Sequence, residues 1–179
     1  MTSRQRTLLK REEVLGGFDP EYYVTERLYA KADDGVEIPL SLLYRKGLIR
    51  NGDNPLLLYG YGSYGLSIDA AFQSPRLSLV DRGFVFAIAH IRGGQELGRQ
   101  WYEAGKLLKK RNTFTDFITC AEFLIREEFT RPEKLFAIGR SAGGLLMGAV
   151  SNMNIHIGYG SRDDRAVFVV DRVMQKSEI

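Results

Sequence analysis

Two short stretches carry side chains whose type and spacing suit covalent chemistry. The first is GRSAGG at 139–144, which fits the pattern G-x-S-x-G and stands between the apolar run KLFAIG and the helix-like SAGGLLMGAVSNM. A serine at a sharp strand-to-helix turn is held in a strained conformation that exposes its hydroxyl. Gly139 and Gly143, two residues to either side, let strand and helix approach closely. The helix N-terminus offers free N–H groups and a positive dipole end to a developing oxyanion. An incidental serine in a glycine-rich turn is the competing reading, and the strand–helix context argues against it.

The second stretch is YGYGSYG at 59–65, three tyrosines and three glycines directly after the apolar run PLLL. An oxyanion hole needs two donors. The backbone N–H of Ala142, the residue after the nucleophile, supplies one. A phenol held between glycines at another strand end would supply the second, since a tyrosine hydroxyl donates and the glycines let it reach across the site.

Other chemistries are thinly provided for. The single cysteine, Cys120, rules out an internal disulfide and a cysteine-rich zinc site, and two histidines, His90 and His156, are too few for a histidine-based metal cluster. No metal and no cofactor is expected. His90 ends an apolar strand and is a second-choice base beside the elbow, although a histidine there is more often a packed, hydrogen-bonded residue. The formal net charge of +3 and a pI near 9.0 are mildly basic, so no nucleic-acid partner is expected. The dense run KLLKKR at 106–111 reads as a solvated face. The longest useful apolar run, FVFAIA at 84–89, is too short to span a bilayer, and the N-terminus lacks the apolar core of a signal peptide. The expectation is a cytoplasmic protein with no membrane partner.

The elements that must position these residues follow from periodicity. YVTERLYA and VEIPLSLLYRKG flank DDG as two strands around a tight turn, with Val36, Ile38, Leu40, Leu42 and Tyr44 on one face. Pro39 places the second of them near a sheet edge. LLLYGY, FVFAIAHI and KLFAIG are short apolar strands, SPRLSLVDRG is a helix ending at Gly83, and TFTDFITCAEFLIREE is a helix with Phe114, Phe117, Ile118, Ala121 and Ile125 on one face. Thr113 with Asp116 fits a capping box at its start. Apolar strands alternating with helices imply an α/β fold with a parallel sheet covered on both faces. In such sheets chemistry lies at the carboxyl ends of the strands, which is where YGYGSYG, HIRGGQELG and GRSAGG fall.

LLLYGYGSYG, AIAHIRGGQELGRQWYEAGKLLKKRNTFTDF and GRSAGGLLMGAVSNM, taken together and in this order, resemble the prolyl oligopeptidase family of serine peptidases, and most closely its oligopeptidase B branch. The resemblance covers roughly residues 20–153. It implies an α/β-hydrolase catalytic domain, which in the family is capped by a β-propeller that admits only short peptides. It makes Ser141 the nucleophile and gives the oxyanion to the Tyr61 hydroxyl with the Ala142 N–H. Tyr59 is expected to pack in the strand and Tyr64 to line the substrate pocket.

The remainder departs from that pattern. In this fold the partners follow in chain order Ser, Asp or Glu, His. After Ser141 the one histidine is His156, and Asp163, Asp164, Asp171 and Glu178 all come after it. The expected organisation is therefore a linker or domain edge at 1–20, the N-terminal part of a peptidase catalytic domain at 21–153, and a tail at 154–179 that leaves the family pattern, although RAVFVVDRV suits a strand. The fold expected is a partial α/β-hydrolase with a mostly parallel sheet, truncated after the elbow and without the propeller. The function expected is that of a serine-peptidase fragment cleaving short peptides through an acyl-enzyme and inactive alone. A non-catalytic product or interaction module is the alternative, self-associating through the bare sheet edge at KLFAIG. A carboxylesterase is the lesser one.

Overall fold

A computed structural model describes residues 7–10 and 13–153 and the backbone of 167–171. Its centre is a six-stranded sheet in the order β1-β2-β4-β3-β5-β6. The strands are β1 (Tyr23–Lys31), β2 (Glu37–Arg45), β3 (Leu56–Gly60), β4 (Val85–Ala89), β5 (Leu135–Arg140) and β6 (Val167–Asp171). The tight turn at DDG makes β1 and β2 an antiparallel hairpin, and β2 also runs antiparallel to β4. The pairs β4–β3, β3–β5 and β5–β6 are parallel, so the sheet is mixed, with its parallel half holding the apolar runs.

The helices are α1 (Ser74–Val80), α2 (Arg99–Glu103), α3 (Arg111–Arg126) and α4 (Ala142–Asn152). Strand side chains alternate between the two faces. Leu40, Leu42, Leu58, Ala87 and Ala137 meet Phe117 and Leu124 of α3 and Leu146 and Met147 of α4 in the main core. Phe86 and Ile88 turn the other way and pack with Val80 of α1. Full burial of each large side chain contributes about 1.5–3 kcal/mol, and most of this lies between α3, α4 and the centre of the sheet.

Several sequence expectations change here. Pro39 sits one strand in from the edge, and the β2–β4 register would have its missing N–H donate to the His90 carbonyl. The indole N–H of Trp101 donates there instead, at 3.1 Å, while the His90 N–H donates to the Pro39 carbonyl at 2.9 Å. The capping box is not formed. Helix α3 begins at Arg111, so Thr113 and Asp116 lie inside it and are fully buried in tertiary contacts. The Thr113 hydroxyl donates to the carbonyls of Arg92 (2.7 Å) and Gly105 (3.1 Å), and Asp116 receives Arg92. The buried stripe of α3 adds Cys120 and Leu124, with Phe114, Ile118 and Ile125 only partly covered. Strand β5 is not a bare edge. The apolar VFVVD in the region read as a departing tail pairs with it in parallel, Gly139 opposite Val170 and Arg140 opposite Asp171.

Candidate active site

Ser141 stands between β5 and α4 at φ 57° and ψ −117°. This left-handed conformation is unfavourable for a residue with a Cβ and costs on the order of 1–3 kcal/mol. The neighbouring glycines explain how it is reached. A Cβ on Gly139 would run into the backbone carbonyl of Gly143, and one on Gly143 would lie 3.0 Å from the Gly60 carbonyl oxygen at the end of β3. Strand end, helix start and the end of the next strand therefore touch backbone to backbone. The Ser141 hydroxyl does not cap α4. Its carbonyl accepts from the Gly144 N–H at 2.8 Å, which starts the helix and leaves Ala142 in its first turn.

The chain leaves β3 into the YGYGSYG stretch beside this elbow. Tyr61 is half-buried, with its Cα and ring within 4 Å of where a Gly143 side chain would begin. Its hydroxyl takes no hydrogen bond among the described residues. Burial, with Tyr64 adding to it, pushes the Tyr61 phenol above its ordinary value of 10.0, so it keeps its proton and remains a donor. Tyr59 packs against the α1-side cluster, and Tyr64 stands 77% exposed at φ 59°.

A cavity of about 610 Å³ opens here, bounded by Ser63, Tyr64, Tyr102, Lys106, Lys110 and Ser141. Two of these are lysines from the run KLLKKR. The solvated-face expectation holds for Lys109 and for the fully exposed Leu108, whereas Lys106 and Lys110 turn inward. Lys106 is paired with Glu103 at 2.6 Å and lies over the Tyr102 ring. Lys110 donates to the Gly62 carbonyl (2.5 Å) and the Ser63 hydroxyl (2.9 Å), and burial pushes its ammonium down to about 8. Nothing in the contiguous pattern of KLLKKR marks Lys110 as the inward lysine, because its partners Gly62 and Ser63 lie far away along the chain.

The loop after β4 forms the third wall. Gly93 is at φ 101°, where a Cβ would strike the Gly62 carbonyl, and its own carbonyl accepts from the Gly65 N–H at 3.0 Å. Arg92 holds this loop down. Its side chain reaches both oxygens of the fully buried Asp116 (2.8 and 2.5 Å) and Asp34 of the β1–β2 turn (2.6 Å). Burial raises the Asp116 carboxyl, and Arg92 opposes that shift.

His90 is buried and turned elsewhere. Its Nε2 lies 2.8 Å from the Ser41 hydroxyl on β2, and its Nδ1 lies 3.7 Å from a Glu96 oxygen. Both ring nitrogens thus face groups other than Ser141, and Ser41 borders a separate cavity with Phe86 and Ile88 on the α1 side of the sheet. His156 and the acids Asp163, Asp164 and Glu178 lie outside the described residues. Asp171 ends β6 level with Arg140, one residue before the elbow. Among the described residues no three or more histidine, cysteine or carboxylate side chains converge as metal ligands would.

This chain is similar to proteins of one peptidase family. The profile of the prolyl oligopeptidase family matches residues 70–157. Dipeptidyl aminopeptidase BI of Pseudoxanthomonas mexicana is 54% identical over 150 residues, covering 83% of this chain and 21% of that protein. Oligopeptidase B from Leishmania major superposes with a TM-score of 0.82 at 53% identity, over 93% of this chain and 22% of that one. Oligopeptidase B from Trypanosoma brucei, solved with covalently bound antipain, gives 0.78 at 51% identity, over 87% and 21%. The chain spans about a fifth of the length of these relatives.

Proposed function

Because this chain belongs to the prolyl oligopeptidase family, we propose that it carries the nucleophile half of a serine-peptidase catalytic domain acting on short peptides. The single observation behind this reading is the strained Ser141 between β5 and α4, with Tyr61 of the next strand end against the same glycine. In this reading the Ser141 Oγ attacks a peptide carbonyl while a base takes its proton. The carbonyl oxygen becomes an oxyanion that receives the Ala142 N–H and the Tyr61 O–H. Collapse expels the amine, protonated by the same base, and water then cleaves the acyl-serine. Tyr64 sits at the mouth of the cavity where a substrate side chain would enter. The α/β-hydrolase assignment belongs to this reading, as does a cytoplasmic setting.

His90 is committed to Ser41, so the described residues offer Ser141 no histidine base. A serine hydroxyl without a base is a weak nucleophile. An assembled oxyanion hole alone leaves roughly 10³–10⁴ over water, far below a working peptidase. The chain by itself is therefore expected not to turn over peptides.

The test has two arms on the 179-residue chain. A fluorophosphonate should modify Ser141 faster than the other serines, read by peptide mass spectrometry, because the elbow presents its hydroxyl to preorganised donors. Labelling spread evenly over exposed serines would overturn the nucleophile assignment. Chromogenic peptides ending in Arg, Lys or Pro should give no serine-dependent release beside a Ser141→Ala control. Release at ordinary enzymatic rates would overturn the expectation of inactivity and direct attention to His90 and His156.

A further inference from the structure

We propose that Lys110 is a positioning residue for Tyr61, its ammonium pinning the Gly62–Ser63 backbone so that the phenol stays over the Ser141 elbow. This rests on the reading of Ser141 and Tyr61 given above and assigns a use to a lysine that the sequence pattern consigns to solvent.

Tyr61 needs an external anchor. Its hydroxyl takes no hydrogen bond among the described residues, and it follows Gly60 and precedes Gly62, the latter at φ 63°. A side chain flanked by glycines inherits its position from the backbone on either side, and glycine restrains that backbone least. On one side Tyr61 is tied to β3, where Tyr59 pairs with Ile88 and Ile138. On the other side the next two residues are the ones Lys110 grips, through the Gly62 carbonyl at 2.5 Å and the Ser63 hydroxyl at 2.9 Å. Two bonds from one nitrogen to adjacent residues fix both the position and the orientation of the intervening peptide.

Lys110 is itself well founded. It is the residue before α3, whose Phe117, Cys120, Ala121 and Leu124 are buried in the main core. The grip thus connects the loop to a rigid element rather than to another loop. Its cost is visible, because burial depresses the ammonium to about 8 and no carboxylate among the described residues hydrogen-bonds to it. A half-buried lysine on a backbone carbonyl and a hydroxyl is poorly compensated, and a purely solubilising residue at this place would point outward as Lys109 does.

The experiment uses the full chain as wild type, Lys110→Met, Lys110→Arg, Tyr61→Phe and the Lys110→Met/Tyr61→Phe double variant. The rate of Ser141 modification by a fluorophosphonate is measured relative to the other serines. Amide hydrogen exchange is followed alongside, together with the ring signals of ¹³C-labelled tyrosine. Lys110→Met should slow Ser141 modification by about 10-fold to 10²-fold, the scale of a displacement near 1 Å. The double variant should be no slower than Tyr61→Phe, because Lys110 acts through that phenol. Exchange should quicken for residues 62–66 and stay unchanged in α3 and β5, the Tyr61 ring signal should broaden or shift, and Lys110→Arg should restore part of the rate.

Losses that multiply in the double variant would overturn the proposal, as would a Lys110→Met rate equal to wild type. Faster exchange throughout the molecule, or a Tyr61 ring signal that does not move, would reduce Lys110 to general stabilisation and overturn it too. If Tyr61→Phe alone leaves the Ser141 rate unchanged, the oxyanion role of Tyr61 fails. The exchange and ring signals then still decide whether Lys110 holds the loop.

Discussion

Replacing Ser141 by glycine should stabilise this protein even though it removes the proposed nucleophile. Ser141 has φ 57° and ψ −117°. That pair is the mirror image of an extended conformation that any L-residue adopts freely, so glycine, which has no handedness, adopts it without strain. The Cβ is the source of the cost, about 1–3 kcal/mol. Glycine loses more backbone freedom on folding, which returns roughly 0.5–1 kcal/mol. The net expectation for Ser141→Gly is a gain of about 0.5–2 kcal/mol. Ser141→Ala keeps the Cβ and therefore the strain, and the hydroxyl it removes caps nothing, so it should stay within about 0.5 kcal/mol of wild type. Urea unfolding followed by far-UV circular dichroism measures both, and in a chain of this size each kcal/mol moves the thermal midpoint by about 2–4 °C. The comparison between the two variants isolates the Cβ. If Ser141→Gly proves no more stable than Ser141→Ala, the elbow is not strained and the structural basis for assigning the nucleophile is lost.

Other variants probe the same frame. Gly139→Ala should cost about 1–3 kcal/mol in urea unfolding, because its Cβ meets the Gly143 backbone and β5 and α4 must part. Arg92→Met leaves the fully buried Asp116 carboxylate with the residue-92 backbone N–H alone and should cost about 3–5 kcal/mol at neutral pH. Without Arg92 the folded-state carboxyl titrates above its unfolded value, so the deficit should shrink as pH falls, and a deficit constant between pH 7 and pH 4 would contradict this. Lys110 sits at about 8 when folded, below its unfolded value of about 10.4. Its contribution is at its least favourable below pH 8. It rises between the two values, where the unfolded chain binds the extra proton, by about 1 kcal/mol after solvent screening. Lys110→Met should abolish that rise in stability measured from pH 7.5 to 10.

The strands, the helices other than α2, and the elbow were legible in the sequence because each is written in contiguous residues. The runs LLLY, VFAIA and LFAIG are apolar without interruption since both faces of a central parallel strand are covered. GRSAGG announces its turn because only glycine lets the backbones of 139 and 143 meet. The separate parts given to Tyr59, Tyr61 and Tyr64 came from the family resemblance and not from the residue pattern; in the structure Tyr59 packs on the α1 side, Tyr61 is half-buried and Tyr64 is exposed. What the sequence could not decide depended on partners far apart along the chain. Thr113 and Asp116 carry the spacing of a capping box, but a loop some twenty residues earlier offered them buried partners, and those bonds outweigh a local cap. His90 follows β4, which β3 separates from the elbow strand β5, and the pairing of β2 with β4 brings Ser41 to its ring. Lys109 and Lys110 are adjacent and chemically identical in sequence. One is solvated and the other grips the loop that carries Tyr61, because the packing of α3 on the sheet fixes the direction in which each side chain leaves the backbone.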